Sequence, residues 1–338
     1  MAGVLPEGSR QYPTYWLSFH ASYACRHSGA CCASGWEIPL EKARVSAVER
    51  AIVDRRVSAP VSWLKRVEGA PDDVAGVLTV GESGHCIFHG EGCAIHSALG
   101  HAAMPAACQH FPRVVLLDAR GVFVTLSHYC PTAAAMLLKD DGPVSIVEGP
   151  PALPDGAMPE GLDARDAWPP LRSPRLLMDV NDYGAWERDL VHALARSNAP
   201  EEVINDLLRN ERAISDDRLI EIARASVPAP YKSLKSVEGL VPPALSERPL
   251  SARVEGSEAN NSRRIEGRFL ASHAFACWMA YHGDGLVSIA IYLRLVLAVL
   301  RAELARQESV VDAIRQSDLL LRHLIDREAL AARIRGLR

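Results

Sequence analysis

Seven of the chain's eight cysteines fall between Cys25 and Cys130: Cys25, Cys31, Cys32, Cys86, Cys93, Cys108 and Cys130. Reducing compartments do not keep structural disulfides, and thiolate sulfur is a soft, strongly binding ligand, so a run of thiols this dense points to a metal centre. Eight of the twelve histidines (His20, His27, His85, His89, His96, His101, His110 and His128) sit in or beside the same stretch. Of these, His27, between Cys25 and Cys31, is the first candidate for an imidazole ligand. His85, His89, His96 and His110, each close to a cysteine, follow it.

Spacing decides which thiols can converge. Cys25 and Cys31 flank Ser28 and Gly29, a stretch loose enough to wrap a metal, and Cys86 and Cys93 bracket the turn-prone Gly90-Glu91-Gly92. Cys108 precedes Phe111-Pro112-Arg113, and Cys130 precedes Pro131. Ligands would thus come from four places in the chain and staple it. The neighbours Cys31 and Cys32 reach one centre only if the backbone turns sharply between them. Zinc favours paired knuckles with short spacers, which are missing here, whereas a 4Fe-4S iron-sulfur cluster tolerates irregular spacing. The spacing leans to the cluster and leaves zinc open.

The rest of the chain frames that centre. Its 338 residues are enough for two domains, and 48% hydrophobic with 23% charged residues is a globular composition. A formal charge of -4 without a basic stripe argues against nucleic acid and anionic membrane as partners. Met1–Pro13 lacks an apolar run before a cleavage site, so a cytoplasmic location is expected. Leu286–Leu300 is interrupted by Arg294 and too short to span a bilayer, so it reads as a buried helix.

Apolar residues recur at helical spacing over Leu40–Val57. Val114–Asp118 and Val122–Leu126, joined by Ala119-Arg120-Gly121, read as a β-hairpin leading from Cys108 toward Cys130, and Pro131 suits the first turn of a short helix over Thr132–Lys139. Seven prolines between Gly149 and Pro174 mark a linker. Long helical patterns follow over Tyr183–Ser197, Glu201–Ala225, Arg264–His282, Leu286–Gln307 and Ser309–Arg335, with a proline-bearing loop over Ser236–Ser262. The expected fold class is α+β, mostly helical. A small metal-stapled cysteine-rich domain with a β-hairpin (1–148) is followed by a Pro/Gly-rich linker (149–175) and an all-helical domain (176–338). Cys277, in the apolar run Ala274–Trp278, reads as a plain packing residue.

Four runs carry a resemblance to a known family. They are Cys25-Arg26-His27-Ser28-Gly29-Ala30-Cys31-Cys32 with Gly35-Trp36 and Ile38, Cys86 to Cys93 with His96, Pro105 to Cys108 with Phe111-Pro112-Arg113, and Ser127 to Cys130 with Pro131 and Ala133-Ala134. In that order they resemble the cysteine-cluster family of zinc- or iron-chelating proteins, and within it the flagellin lysine-N-methylase branch. The resemblance covers Cys25 to about Leu138. Ser28 departs from the family's C-x-x-C-x-x-C-C opening, and serine is a poor ligand for soft metals, so the centre has one sulfur fewer or recruits His27. The resemblance implies an iron-sulfur or zinc centre and, further, S-adenosylmethionine-dependent methylation of a protein lysine, flagellin being the kind of substrate implied. No glycine-rich methyl-donor turn, radical-enzyme C-x3-C-x2-C run, hydrolase elbow or phosphate loop stands beside it. The alternatives are a non-catalytic metal module that presents an interaction surface, and a redox carrier.

Overall fold

The computed structural model describes residues 12–26, 28–33, 37–139, 142–153, 161–232, 237 and 257–337. His27, Gly35, Trp36 and most of the 236–262 loop lie outside them. The architecture is α+β with helix predominating.

Strands β1 (Thr14–Leu17), β2 (Pro39–Glu41), β3 (Leu64–Lys65), β4 (Val74–Leu78), β5 (Arg113–Asp118), β6 (Gly121–Leu126), β7 (Ile146–Glu148) and β8 (Leu162–Asp163) form two sheets. The larger has the order β7-β1-β6-β5-β8, the smaller β2-β4-β3. The predicted hairpin is present: β5 and β6 pair antiparallel with Arg113 opposite Leu126 and Asp118 opposite Gly121. Gly121 has φ +148° and sits against the Pro13 carbonyl, where a Cβ would come within 2.5 Å of that oxygen. Only glycine lets the first strand come this close. That strand, β1, pairs parallel to β6, an association between distant segments that no local pattern announces. β6 is buried at every position, so the sheet is covered on both faces and the usual in-out alternation is lost.

The helix over Pro131–Leu138 starts on Pro131 as its first-turn residue, as the sequence predicts. Lys42–Val53 is helical within the predicted Leu40–Val57. Leu286–Arg306 is a 21-residue helix at the centre of the helical layer, with nearly its whole circumference buried. No helix among the described residues is long and apolar enough to cross a membrane.

Two long helices expected from periodicity are each broken. Glu201–Ala225 divides into Pro200–Leu207 and Asp216–Ala225, the second started by Ser215, whose side chain accepts from the Arg218 N–H. Arg264–His282 divides into Ser257–Ala274 and Met279–His282. The second break is at Ala276, which takes a left-handed φ of 54° and donates its N–H to Glu187 Oε1 at 3.0 Å. A left-handed alanine costs about 1–2 kcal/mol. Here the buried carboxylate takes up the amide that the turn frees. The last predicted helix is three pieces, Val310–Asp318, a π-helical Leu319–Leu324 and Arg327–Arg335.

The larger hydrophobic core joins the five-stranded sheet to the helices, with Trp16, Leu126, Phe269, Leu293 and Ile314 in one cluster. It draws on both sides of the proline-rich stretch. A separate, smaller core holds Ile38, Leu40, Val48, Leu78, Phe88 and Ile95 together with Cys32 and Cys86. Apolar packing holds this smaller unit together.

Candidate functional site

Four chain segments bring thiols together over the small core. Ala30–Ala33 forms a single 3-10 turn, made possible by Gly29 at φ +71°, where a Cβ would lie 2.4 Å from His89 Nε2. That turn places both vicinal sulfurs on one side, 4.0 Å apart. The Cys86 N–H donates to the Cys32 carbonyl at 2.7 Å, which lays the second segment alongside the first. The bridges Val80 to Cys86 and His89 to Cys93 then close the loop that the glycines permit. Cys93 precedes the helix Ala94–Leu99. Cys108 is carried by the short helix Ala106–His110, whose first N–H donates to Glu41 Oε1 at 3.0 Å.

Cys32 is the hub. Its buried Sγ meets Cys31 Sγ at 4.0 Å, and the company of Cys31 first, then of Cys86 and Cys93, pushes its own ionisation far up. Cys93 is pushed down to about 6, first by the hydrogen bond from Cys32 and, against burial, by the backbone N–H groups of His96 and Ile95. Cys31 and Cys86 are lowered as well, each principally by the Cys32 bond. Cys108 goes the opposite way, raised by burial and by the neighbouring Cys31, Cys93 and Cys86.

The structure corrects the metal assignment. Among the described residues, no group of three or more His, Cys, Asp or Glu side chains is placed to hold a metal ion. A tetrahedral thiolate site needs sulfurs around a shared point about 2.3 Å from each. The seven candidate thiols do not form one set. Cys25 and Cys130 lie elsewhere, beside Tyr23, whose hydroxyl is 3.7 Å from Cys130 Sγ. The cysteine-ligated iron-sulfur or zinc protein, and the metal module and redox carrier derived from it, are therefore not upheld.

The histidines separate in the same way. His85 and His89 pack edge to face at 4.7 Å between centroids, as do His96 and His101 at 6.3 Å. His20 and His128 instead belong to a second polar cluster inside the large core, which sequence reasoning missed. Asp318, at the end of its helix, accepts from Arg322 Nε and pairs with His273 Nε2, both at 3.0 Å. It also accepts the His128 backbone N–H, and His128 and His20 meet through their Nε2 atoms at 3.1 Å. His273 Nδ1 meets the Tyr292 hydroxyl at 2.9 Å. Burial alone would raise Asp318, but Arg322, His128 and His273 hold it well below the usual carboxylate range. Burial lowers His20, His128 and His273, the last to about 3. The only sequence signal for this cluster is an acid and a basic residue in an otherwise apolar stretch.

Cys277 is 1% exposed and burial pushes its thiol up to about 12, as suits a packing residue. No protein-family model, curated protein or solved structure matches this chain.

Proposed function

We propose that the thiol cluster is a dithiol–disulfide centre, with chemistry carried by the sulfurs themselves. The observation that supports it is the gathering of the buried Cys32, 4.0 Å from Cys31 Sγ, with the partly exposed Cys93, each of which shifts the other's ionisation. A thiolate is the nucleophile in thiol–disulfide exchange, and Cys93, partly exposed as Cys31 also is, has its ionisation brought down to about 6.

Cys93 Sγ attacks one sulfur of an incoming disulfide, RSSR, forming a mixed disulfide and releasing one thiolate, which takes a proton. Cys32 passes its proton to the Cys31 or Cys86 sulfur and attacks Cys93 Sγ. The Cys32–Cys93 bond forms, the mixed disulfide breaks and the second RS– leaves. The balance is two protein thiols oxidised and one RSSR reduced to two RSH. Cys32 is 5% exposed, so external disulfides reach Cys93 and not the resolving thiol.

The test is titration of the purified protein with oxidised glutathione, followed by mass mapping of tryptic peptides. An intrachain Cys32–Cys93 disulfide that disappears in Cys93→Ser is expected. Stable glutathionylation without an intrachain bond, or oxidation at Cys25 alone, would overturn the proposal.

A further inference from the structure

A further feature is an open cleft of about 730 Å³ where the start of β5 meets the last two helical segments. Its size is that of a small-molecule site. Arg113, Arg322 and Arg327 line it. Arg322 is already paired with Asp318. Arg113 and Arg327 are not so balanced: among the described residues neither has a carboxylate within ion-pair distance. Arg113 Nε is buried with no hydrogen-bond partner among the described residues, and its guanidinium lies 5.5 Å from the Tyr23 ring centre. Arg327 packs 5.9 Å from the Trp278 ring. Two acids, Asp326 and Glu328, also line the cavity, but both are exposed, and Asp326 is engaged in capping the Ala329 N–H.

A half-buried guanidinium without a counter-charge is an unfavourable arrangement for the protein alone, and the planar fork of arginine matches a carboxylate or a phosphate in two-point contact. From the cavity and its two uncompensated arginines, we infer that this cleft binds a small anionic metabolite through an oxyanion group held between Arg113 and Arg327. Burial lowers both arginines from their ordinary range, as expected of cations awaiting an anion. The inference is independent of the thiol chemistry, since it uses none of those sulfurs.

The oxyanion can be carried by phosphate or by carboxylate, and two probes separate them. Thermal unfolding of the full chain is followed with inorganic phosphate, with citrate, and with sodium chloride at matched ionic strength. One or both probes should raise the melting temperature where chloride does not, because a ligand that binds only the folded state stabilises it. Phosphate alone would identify a phosphoryl ligand, citrate alone a carboxylate. Arg113→Gln and Arg327→Gln should each weaken the apparent affinity by about tenfold or more, the loss of one charge-assisted contact. Arg218→Gln, at an exposed pair elsewhere, should leave it unchanged. Should either cavity variant fail to fold, Arg113→Lys or Arg327→Lys, which keeps the charge and loses the fork, is measured in its place and should bind more weakly than the parent. Stabilisation equal to that by chloride, or affinity indifferent to both cavity arginines, would overturn the inference.

Discussion

The two buried polar clusters differ in whether their members complement one another. Around Asp318, acid meets base: one carboxylate is matched by Arg322, His273 and the His128 amide, and the histidines are kept neutral by burial. Around Cys32, like meets like: four thiols lie together and shift one another's ionisation, Cys32 upward and Cys31, Cys86 and Cys93 downward. Complementary charges in a dry core are stable and chemically quiet, whereas sulfurs with lowered ionisation are a store of reactivity. The first cluster locks sheet to helices. The second sits on a small core of its own, where reaction can be confined.

The comparison breaks most readily at Asp318. Asp318→Asn leaves Arg322 buried without its counter-charge and should cost about 3–5 kcal/mol in urea unfolding. A loss below about 1 kcal/mol would mean that the cluster does not lock the core.

Next in size is Leu40→Ala. Leu40 is fully buried in the smaller core, and its truncation should cost about 2–5 kcal/mol. Hydrogen exchange should speed up over residues 38–104 while the β5–β6 hairpin keeps its protection. Equal loosening of both regions would show that the two cores are one cooperative unit.

The pH dependence sharpens the same contrast. A histidine whose folded value is lowered binds its proton more readily in the unfolded chain, so its contribution to stability is complete above about 6.5 and is lost as pH falls from there. For His273 the loss runs from about 6.5 to about 3, at a slope of up to about 1.4 kcal/mol per pH unit. The contribution of Asp318, whose carboxyl is lowered, is complete above the ordinary carboxylate range and is lost as pH falls from there through its folded value. In His273→Gln, unfolding measured between pH 6 and 4 should show a correspondingly shallower slope. An unchanged slope would remove His273 from the account.

The smallest stability effect and the clearest chemical one belong to Cys32→Ala. Removing the donor should raise the Cys93 ionisation, and each unit of rise above neutrality slows alkylation at pH 7 by about tenfold. Iodoacetamide kinetics across pH measure this directly. A Cys93 that titrates unchanged would show that the backbone N–H groups of Ile95 and His96 suffice.

Legibility in the sequence followed the range of the interaction. The hairpin, the Pro131 start, the Lys42–Val53 helix and the buried Leu286–Arg306 helix are written in local periodicity and turn residues, and all four are present. The parallel insertion of β1 beside β6 joins residues more than a hundred positions apart and leaves no local trace. The break at Ala276 depends on Glu187, a residue of another helix. The density of thiols is legible in the sequence, but spacing carries no angles. It could not tell that Cys31, Cys32, Cys86, Cys93 and Cys108 gather in one place while Cys25 and Cys130 flank Tyr23, nor that no metal-holding group results among the described residues.

The amino-acid order by itself determined where helices and the hairpin form and how densely sulfur is packed into the first third of the chain, because propensity and periodicity act between near neighbours. Only the tertiary structure decided which thiols gather, which carboxylate sits among the histidines, and which arginines have no carboxylate within ion-pair distance among the described residues. Those outcomes depend on distances and burial between remote segments, and electrostatic energies at such sites are set by what the fold places within a few ångströms.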